Sequence, residues 1–257
     1  MRPLIAKIKP TNGFSRLAHV SINILLALIV FVLVRMDFVQ LALALILLSK
    51  WRMFAVRLRF WPANLRANSI DIIVSLSLLL FMANSAGDQW LQILWAAVYA
   101  IWLVAVKPAS NTLAISGQAM AGLLFGLTAL FLGWGDGALY WLVFASAMIC
   151  YLAARHFFDC FDEPYARLLS YMWAYFGGAL VWVLGHWLLF YGFMAQPTLL
   201  LIALGYALAT IYYLDHYDRL TKKWVRLEIF ITTSAIVLSV VVSLAANVSS
   251  TVRALLR

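Results

Sequence analysis

Charge is what this chain has least of. Only 11% of its 257 residues are charged and ten are acidic, whereas a water-soluble fold of this size carries about a quarter. The two cysteines, Cys150 and Cys160, fall in and just below one apolar run, which offers no disulfide framework. All six lysines lie in the amino-terminal tail or beside the ends of apolar runs, so a buried Schiff base has no attachment point. Four histidines, with only His186 well within a run, cannot ligate a pair of haems. There is no P-loop, HExxH, histidine box or GxSxG. The apolar runs themselves are almost free of charge, unlike those of ion channels and proton-coupled carriers. They also lack the paired Gly/Pro interruptions of broken-helix transporters. No cofactor and no metal is expected.

What the chain has instead is apolar residues, 65% of the total, with a mean hydropathy of +0.94. They come in runs of about 17–25, enough to cross about 30 Å of hydrocarbon as helices. Nine runs are expected to span, at about 18–34, 38–56, 69–84, 90–106, 113–133, 138–155, 166–190, 196–214 and 227–246. Short connectors rich in turn residues separate them: RMD, NSAGDQ, KPASNT, GWGDG and YGFMAQP. No β-barrel alternation appears, so helices must satisfy the backbone groups that lipid cannot. The expectation is an all-α integral membrane protein, a polytopic helical bundle of about nine transmembrane helices, with eight to ten allowed. Residues 1–257 form one transmembrane domain, with a basic amino-terminal segment at 1–17, a basic connector at 50–68 and a short tail at 247–257. The first run has basic flanks and no small-residue cleavage site, so it reads as an uncleaved signal-anchor.

Lys and Arg set the orientation. Alternate connectors hold 16 of the 19 basic residues, leaving Arg35, Arg253 and Arg257 on the other side. The positive-inside bias then places the amino terminus in the cytoplasm and the tail outside. Seven of the ten acids share the basic side, so the whole net charge of +9 sits there. A cytoplasmic rim of this kind attracts anionic headgroups and gives no reason to expect nucleic acid.

The longest connectors all fall on that rim, at 50–68, 155–167 and 215–226. The last two resemble each other, Tyr151-Leu152…Arg155-His156…Arg167-Leu168 against Tyr213-Leu214…His216…Arg226-Leu227. They are either a duplicated hairpin or the ordinary gathering of basic and aromatic residues at an interface. In the first connector, Arg52, Arg59 and Arg66 recur at seven, with Arg57 nearby and Trp51, Phe54, Leu58 and Trp61 at roughly helical spacing. This predicts a basic amphipathic helix in the headgroup layer, broken at Pro62. Its arginines serve either for anchoring or as forks on the phosphate of a lipid-like substrate.

Residues 155–163, RHFFDCFDE, place His156, Asp159, Cys160 and Glu163 at i, i+3, i+4 and i+7, one face of a continuous helix. Pro164 disfavours helix at Glu163, which makes it the weakest member. Arg155 offers Asp159 an i, i+4 partner, and Asp215 and Arg219 repeat that spacing, with Thr221 as the cap of the next run. If the hairpins are duplicated, His156, Asp159, His216 and Asp218 meet at one cytoplasmic mouth as acid–base or metal-capable groups. Otherwise they are separate helix ends. His186 and Gln118 are intramembrane polar groups, either pathway residues or bundle hydrogen bonders. Asn68 and Asp71 read as a capping pair, and Glu228 as an interfacial acid. Gly122 and Gly126 make a GxxxG step for close helix packing, and Gly177-Gly178 can pack or bend.

Three function classes fit. The first is a transport or lipid-handling component acting on an amphipathic or anionic-lipid-like substrate, with Arg52, Arg57, Arg59 and Arg66 at the headgroup. The second is a non-catalytic scaffold subunit, whose GxxxG face contacts a second copy or a membrane partner protein. The third is a membrane-embedded enzyme acting on a lipid phosphate through His156, Asp159, His216 and Asp218. No assembled catalytic motif is present, so the balance leans away from an enzyme. Short loops and uncleaved entry point to the cell membrane, of bacterial cytoplasmic type.

Overall fold

The structure, a computed structural model, describes residues 13–234 apart from 189 and 193. The tail at 247–257, the second half of the run at 227–246 and most of the segment 1–17 lie outside the described residues.

The described chain is helical apart from one minimal hairpin. Five helices are long and apolar enough to cross a membrane: α1 (Gly13–Arg35, of which Leu17–Arg35 qualifies), α5 (Gln89–Ile101, continued to Val106), α6 (Thr112–Trp134), α7 (Leu139–Phe158) and α9 (Gln196–His216). A sixth is added if α3 (Trp61–Ala67) and α4 (Ser69–Asn84), which meet at a bend of 63°, count as one broken span. Two expected spans fall short. α2 (Val39–Ser49) has 11 residues, because the chain turns at Lys50 although apolar residues continue to Val56. α8 (Ala166–Leu184) ends at Gly185, six residues before the expected limit, and Tyr, Trp and Gly dilute its apolar character. Residues 222–234 are helical, with Thr221 Oγ1 accepting from the Trp224 N–H at 3.4 Å as expected of a cap.

The ends of these helices follow local chemistry. Asp88 caps α5, its side chain accepting from Trp90 N at 3.0 Å and Leu91 N at 3.2 Å. Asn111 does the same for α6 through Ala114 N. α1 and α9 close with Schellman turns: Phe38 N–H bonds to Leu33 O and Arg219 N–H to Leu214 O, with Asp37 and Asp218 left-handed at φ 64° and 53°. The left-handed Asp218 stops α9 before Arg219, so the expected helical spacing of Asp215 and Arg219 does not exist. The amide of Asn68 donates to Asn64 O, which stitches α3 to the start of α4.

The connector 50–68 corrects another expectation. It is two 3-10 turns, Trp51–Met53 and Leu58–Phe60, followed by α3, with Pro62 in the first turn of α3 rather than breaking a longer helix. The seven-residue spacing of Arg52, Arg59 and Arg66 therefore defines no single face.

The chain divides into two compact units. Of the described residues, 13–61 and 78–109 form unit 1, built on α1, α2, the end of α4 and α5. Its polar core is Gln92, fully buried, whose amide donates to Met82 O while its oxygen accepts from Arg35 at 3.4 Å. The described residues of 62–77 and from 110 on form unit 2. There α6 is central: half of its membrane-length window is buried, against 28% for α7 and 22% for α9. Lipid tails are as apolar as leucine, so close backbone approach and dispersion, not water exclusion, drive such packing. Gly122 lies against Ile70, and Gly126 against Ile73 and Ile149. Gly177 meets Cys150, and Gly178 meets Ala147, which zips α7 and α8 into an antiparallel hairpin. The GxxxG step is thus consumed inside unit 2 and is not a free face.

A Cβ on Gly126 would sit 2.7 Å from Ile73 Cγ2 and 3.1 Å from Ile149 Cγ2. Gly126→Ala is expected to cost about 1–3 kcal/mol by overpacking, seen as a lower thermal midpoint in detergent. Ile73→Ala in the same chain should recover part of that loss.

Candidate functional site

The carboxyl-terminal ends of α7 and α9 meet in an aromatic cluster. Phe157 and Phe158 at the end of α7, Phe161 in the turn and Tyr212 on α9 pack with centroids 5.0–5.7 Å apart, mostly edge to face. His216 joins with its ring 4.9 Å from Phe161 and nearly parallel to Tyr212. The two hairpins whose sequences resemble each other therefore do touch, but through aromatic rings.

The four candidate acid–base residues are distributed as follows. His156 Nε2 lies 3.1 Å from Gln118 Oε1, an α6–α7 hydrogen bond that joins two residues singled out separately in the sequence. Asp159 pairs with Arg155 at 2.9 Å, the expected i, i+4 bridge. His216 belongs to the aromatic cluster, and Asp218 is the left-handed residue that ends α9. Among the described residues, no group of three or more His, Cys, Asp or Glu side chains can hold a metal ion. The RHFFDCFDE stripe divides because α7 stops at Phe158, so Cys160 and Glu163 leave its face.

Glu163, the weakest member on sequence grounds, makes the cross-hairpin contact. One carboxylate oxygen accepts from Tyr212 O–H and the other from the Tyr165 N–H just ahead of α8. The turn after α7 frees this side chain to reach α9, a consequence of the same Pro164 that takes it out of the helix. Cys160 donates its thiol to Phe157 O, and burial pushes that thiol up to about 11. It is a protonated packing residue at neutral pH.

Beside this cluster runs a groove of about 980 Å³. α6 contributes Leu123, α7 Ala153 and Phe157, α8 Trp173 and Phe176, and α9 Leu208 and Tyr212, with residues 220–233 closing one side. Asp215 is the charged residue in a lining otherwise almost wholly apolar. His186 takes no part. It follows α8 in a 3-10 turn, exposed, with Nδ1 2.8 Å from Trp182 O, because the helix has already ended. Glu228 is buried rather than interfacial, and its Oε2 has no hydrogen-bond partner among the described residues.

Two features were missed in the sequence. Gln92 carried no pattern of its own, although Arg35, one of few bases on its side of the expected topology, offered it a donor. The aromatic content of the α7 and α9 ends was read as an interface belt, whereas it is the packing surface between them. No family model, curated protein or solved structure matches this chain.

Two outcomes follow from this geometry. Tyr212→Phe removes the donor that joins α9 to Glu163 and is expected to cost about 1–2 kcal/mol, read as a lower unfolding midpoint, with no added cost when Glu163→Ala is already present. In a Cys150→Ser background, iodoacetamide labelling of Cys160 should rise about tenfold per pH unit to an inflection near 11. An inflection near 8.5, the free-thiol value, would contradict its burial.

Proposed function

We propose that this protein is a multi-pass membrane protein that handles an amphipathic, anionic-lipid-like molecule, as a transport or lipid-handling component. The groove of unit 2 carries the reading. Its lining by Leu123, Phe157, Trp173, Phe176 and Leu208 suits an acyl or isoprenoid chain, and it has too few polar groups to strip and pass a hydrated solute. At its closed side the chain continues into Lys222, Lys223 and Arg226, which suit an anionic headgroup.

The reading takes the chain to cross a bacterial-type cytoplasmic membrane about nine times, with the amino terminus inside. The asymmetry of Lys and Arg supports this orientation, and α2 and α8 then count as short or aromatic-rich crossings. Arg57 and Arg59 lie exposed among exposed Trp51, Phe54, Leu58 and Phe60, as expected of a segment resting in the headgroup layer. With Arg52 and Arg66 they are proposed contacts for anionic headgroups. A scaffold role through the Gly122/Gly126 face has less support, since Ile70, Ile73 and Ile149 occupy it.

The test is native mass spectrometry of the protein released from mild detergent. Wild type is expected to retain lipid. Leu208→Trp fills the groove from a position already 55% exposed and is expected to lower retention on the order of tenfold, equivalent to about 1.4 kcal/mol. A folded Leu208→Trp chain that retains as much lipid as wild type defeats the proposal.

A further inference from the structure

A second face of unit 2 carries a different set of groups. On α7, Tyr151 and Arg155 are one turn apart, and on α8 so are Arg167 and Tyr171. The antiparallel hairpin sets Tyr151 beside Tyr171, with rings stacked at 5.0 Å and their hydroxyls hydrogen-bonded. Arg66, in the last turn of α3, completes the group: both it and Arg155 lie near enough to the Tyr151 hydroxyl to act on it electrostatically.

The arginines are unusual in what they leave unused. The Arg155 side chain is only 14% exposed and spends one terminal nitrogen on Asp159. Its Nε is buried with no acceptor among the described residues, and so is the Nε of Arg66. An exposed guanidinium is satisfied by water, but these two donors are out of its reach. Buried donors without partners are rare in native folds and call for a missing acceptor. Asp159 is already engaged by one terminal nitrogen of Arg155. Two guanidinium forks beside two phenol hydroxyls form the donor set that matches the tetrahedral oxygens of a phosphate group.

We infer that Arg66, Arg155, Tyr151 and Tyr171 form a binding site for a phosphate-bearing anion at the end of the α7–α8 hairpin. None of these four residues lines the groove. The site shares Arg66 with the proposed headgroup contacts but does not rest on the groove that carries the proposed function. Leu208→Trp tests the groove and leaves these four residues alone.

The chemistry fits a lipid phosphate headgroup or free phosphate, and the experiment separates them. Purified protein is reconstituted in phosphatidylcholine nanodiscs and titrated with fluorescent phosphatidic acid, in the absence and presence of 10 mM inorganic phosphate, a concentration on the order of that used to saturate weak anion sites. Saturable binding is expected, weakened about 10- to 100-fold by Arg155→Gln or Arg66→Gln, as for loss of a charge-assisted hydrogen bond. Tyr171→Phe, which keeps the ring stack, should weaken it less, and Arg155→Lys, which keeps the charge and loses the fork, should fall between. Arg219→Gln, at an exposed arginine given no headgroup role, should leave binding unchanged. Competition by inorganic phosphate assigns the site to the phosphate group itself, and its absence assigns it to the whole lipid. If Arg219→Gln weakens binding as much as Arg155→Gln, the attraction is only general charge and the inference fails. It fails equally if the folded double variant Arg66→Gln/Arg155→Gln binds like wild type.

Discussion

Unit 2 depends on how closely its neighbours can approach α6. Water drives nothing together inside a bilayer, so helices stay in contact only where their surfaces interlock at short range. Gly122 and Gly126 remove two side chains from one stripe of α6, and Ile70, Ile73 and Ile149 fill the space. That single arrangement brings the start of α4 and the middle of α7 to the same helix. The rest is a matter of register. Once Ile149 is set at Gly126, His156 lies two turns further along α7, level with Gln118 two turns back along α6, and their hydrogen bond follows. Gly177 and Gly178 set α8 close against Cys150 and Ala147 of α7, and in the same hairpin Tyr151 stacks on Tyr171.

The polar groups of unit 2 divide by what they do for this packing. Gln118 with His156, and Tyr212 with Glu163, join helices to one another and are satisfied. Each removes two groups that would be costly alone in a medium with no water to bond them. The two arginine Nε atoms have no acceptor among the described residues. A charge that served only to set orientation would do so from an exposed position such as that of Arg59. Burial of Arg155 beside a tyrosine pair is a cost that orientation alone does not explain.

How much of this was legible in the residues depended on whether the property was local. The runs at 18–34, 69–84 and 113–133 closely match α1, α4 and α6, because sustained apolarity over a membrane thickness has few other outcomes. The run at 38–56 was overdrawn because Trp51, Phe54 and Val56 are as apolar as the helix before them. Hydropathy does not register the turn at Lys50 that carries them into an interfacial connector. The run at 166–190 was overdrawn for a similar reason: Leu188 and Phe190 are apolar but belong to the approach to a hairpin whose turn is Gly192, at φ 64°. Pairings were the least legible of all. His156, Gln118, Glu163 and Tyr212 were visible singly or as part of a pattern, but which of them meet depends on how α6, α7 and α9 are rotated about their axes. One sequence of near-uniform apolarity does not encode that rotation in its hydropathy.

The same rotation explains why the molecule offers two different surfaces on one hairpin. Along α7, positions 153, 154, 157 and 158 line the groove, and positions 151 and 155 lie further round the same helix. The first set is Ala, Ala, Phe and Phe, small or flat residues that leave room beside α9. The second is Tyr and Arg. α8 makes the division more sharply, with Leu169, Met172 and Trp173 on the groove side and Arg167 and Tyr171 on the other. An apolar recess and a cationic corner built on the same two helices are mechanically tied, since a tilt of α8 that widened one would change the spacing of the Tyr151–Tyr171 stack in the other. A phosphate held at the corner would therefore bear on the width of the groove without entering it.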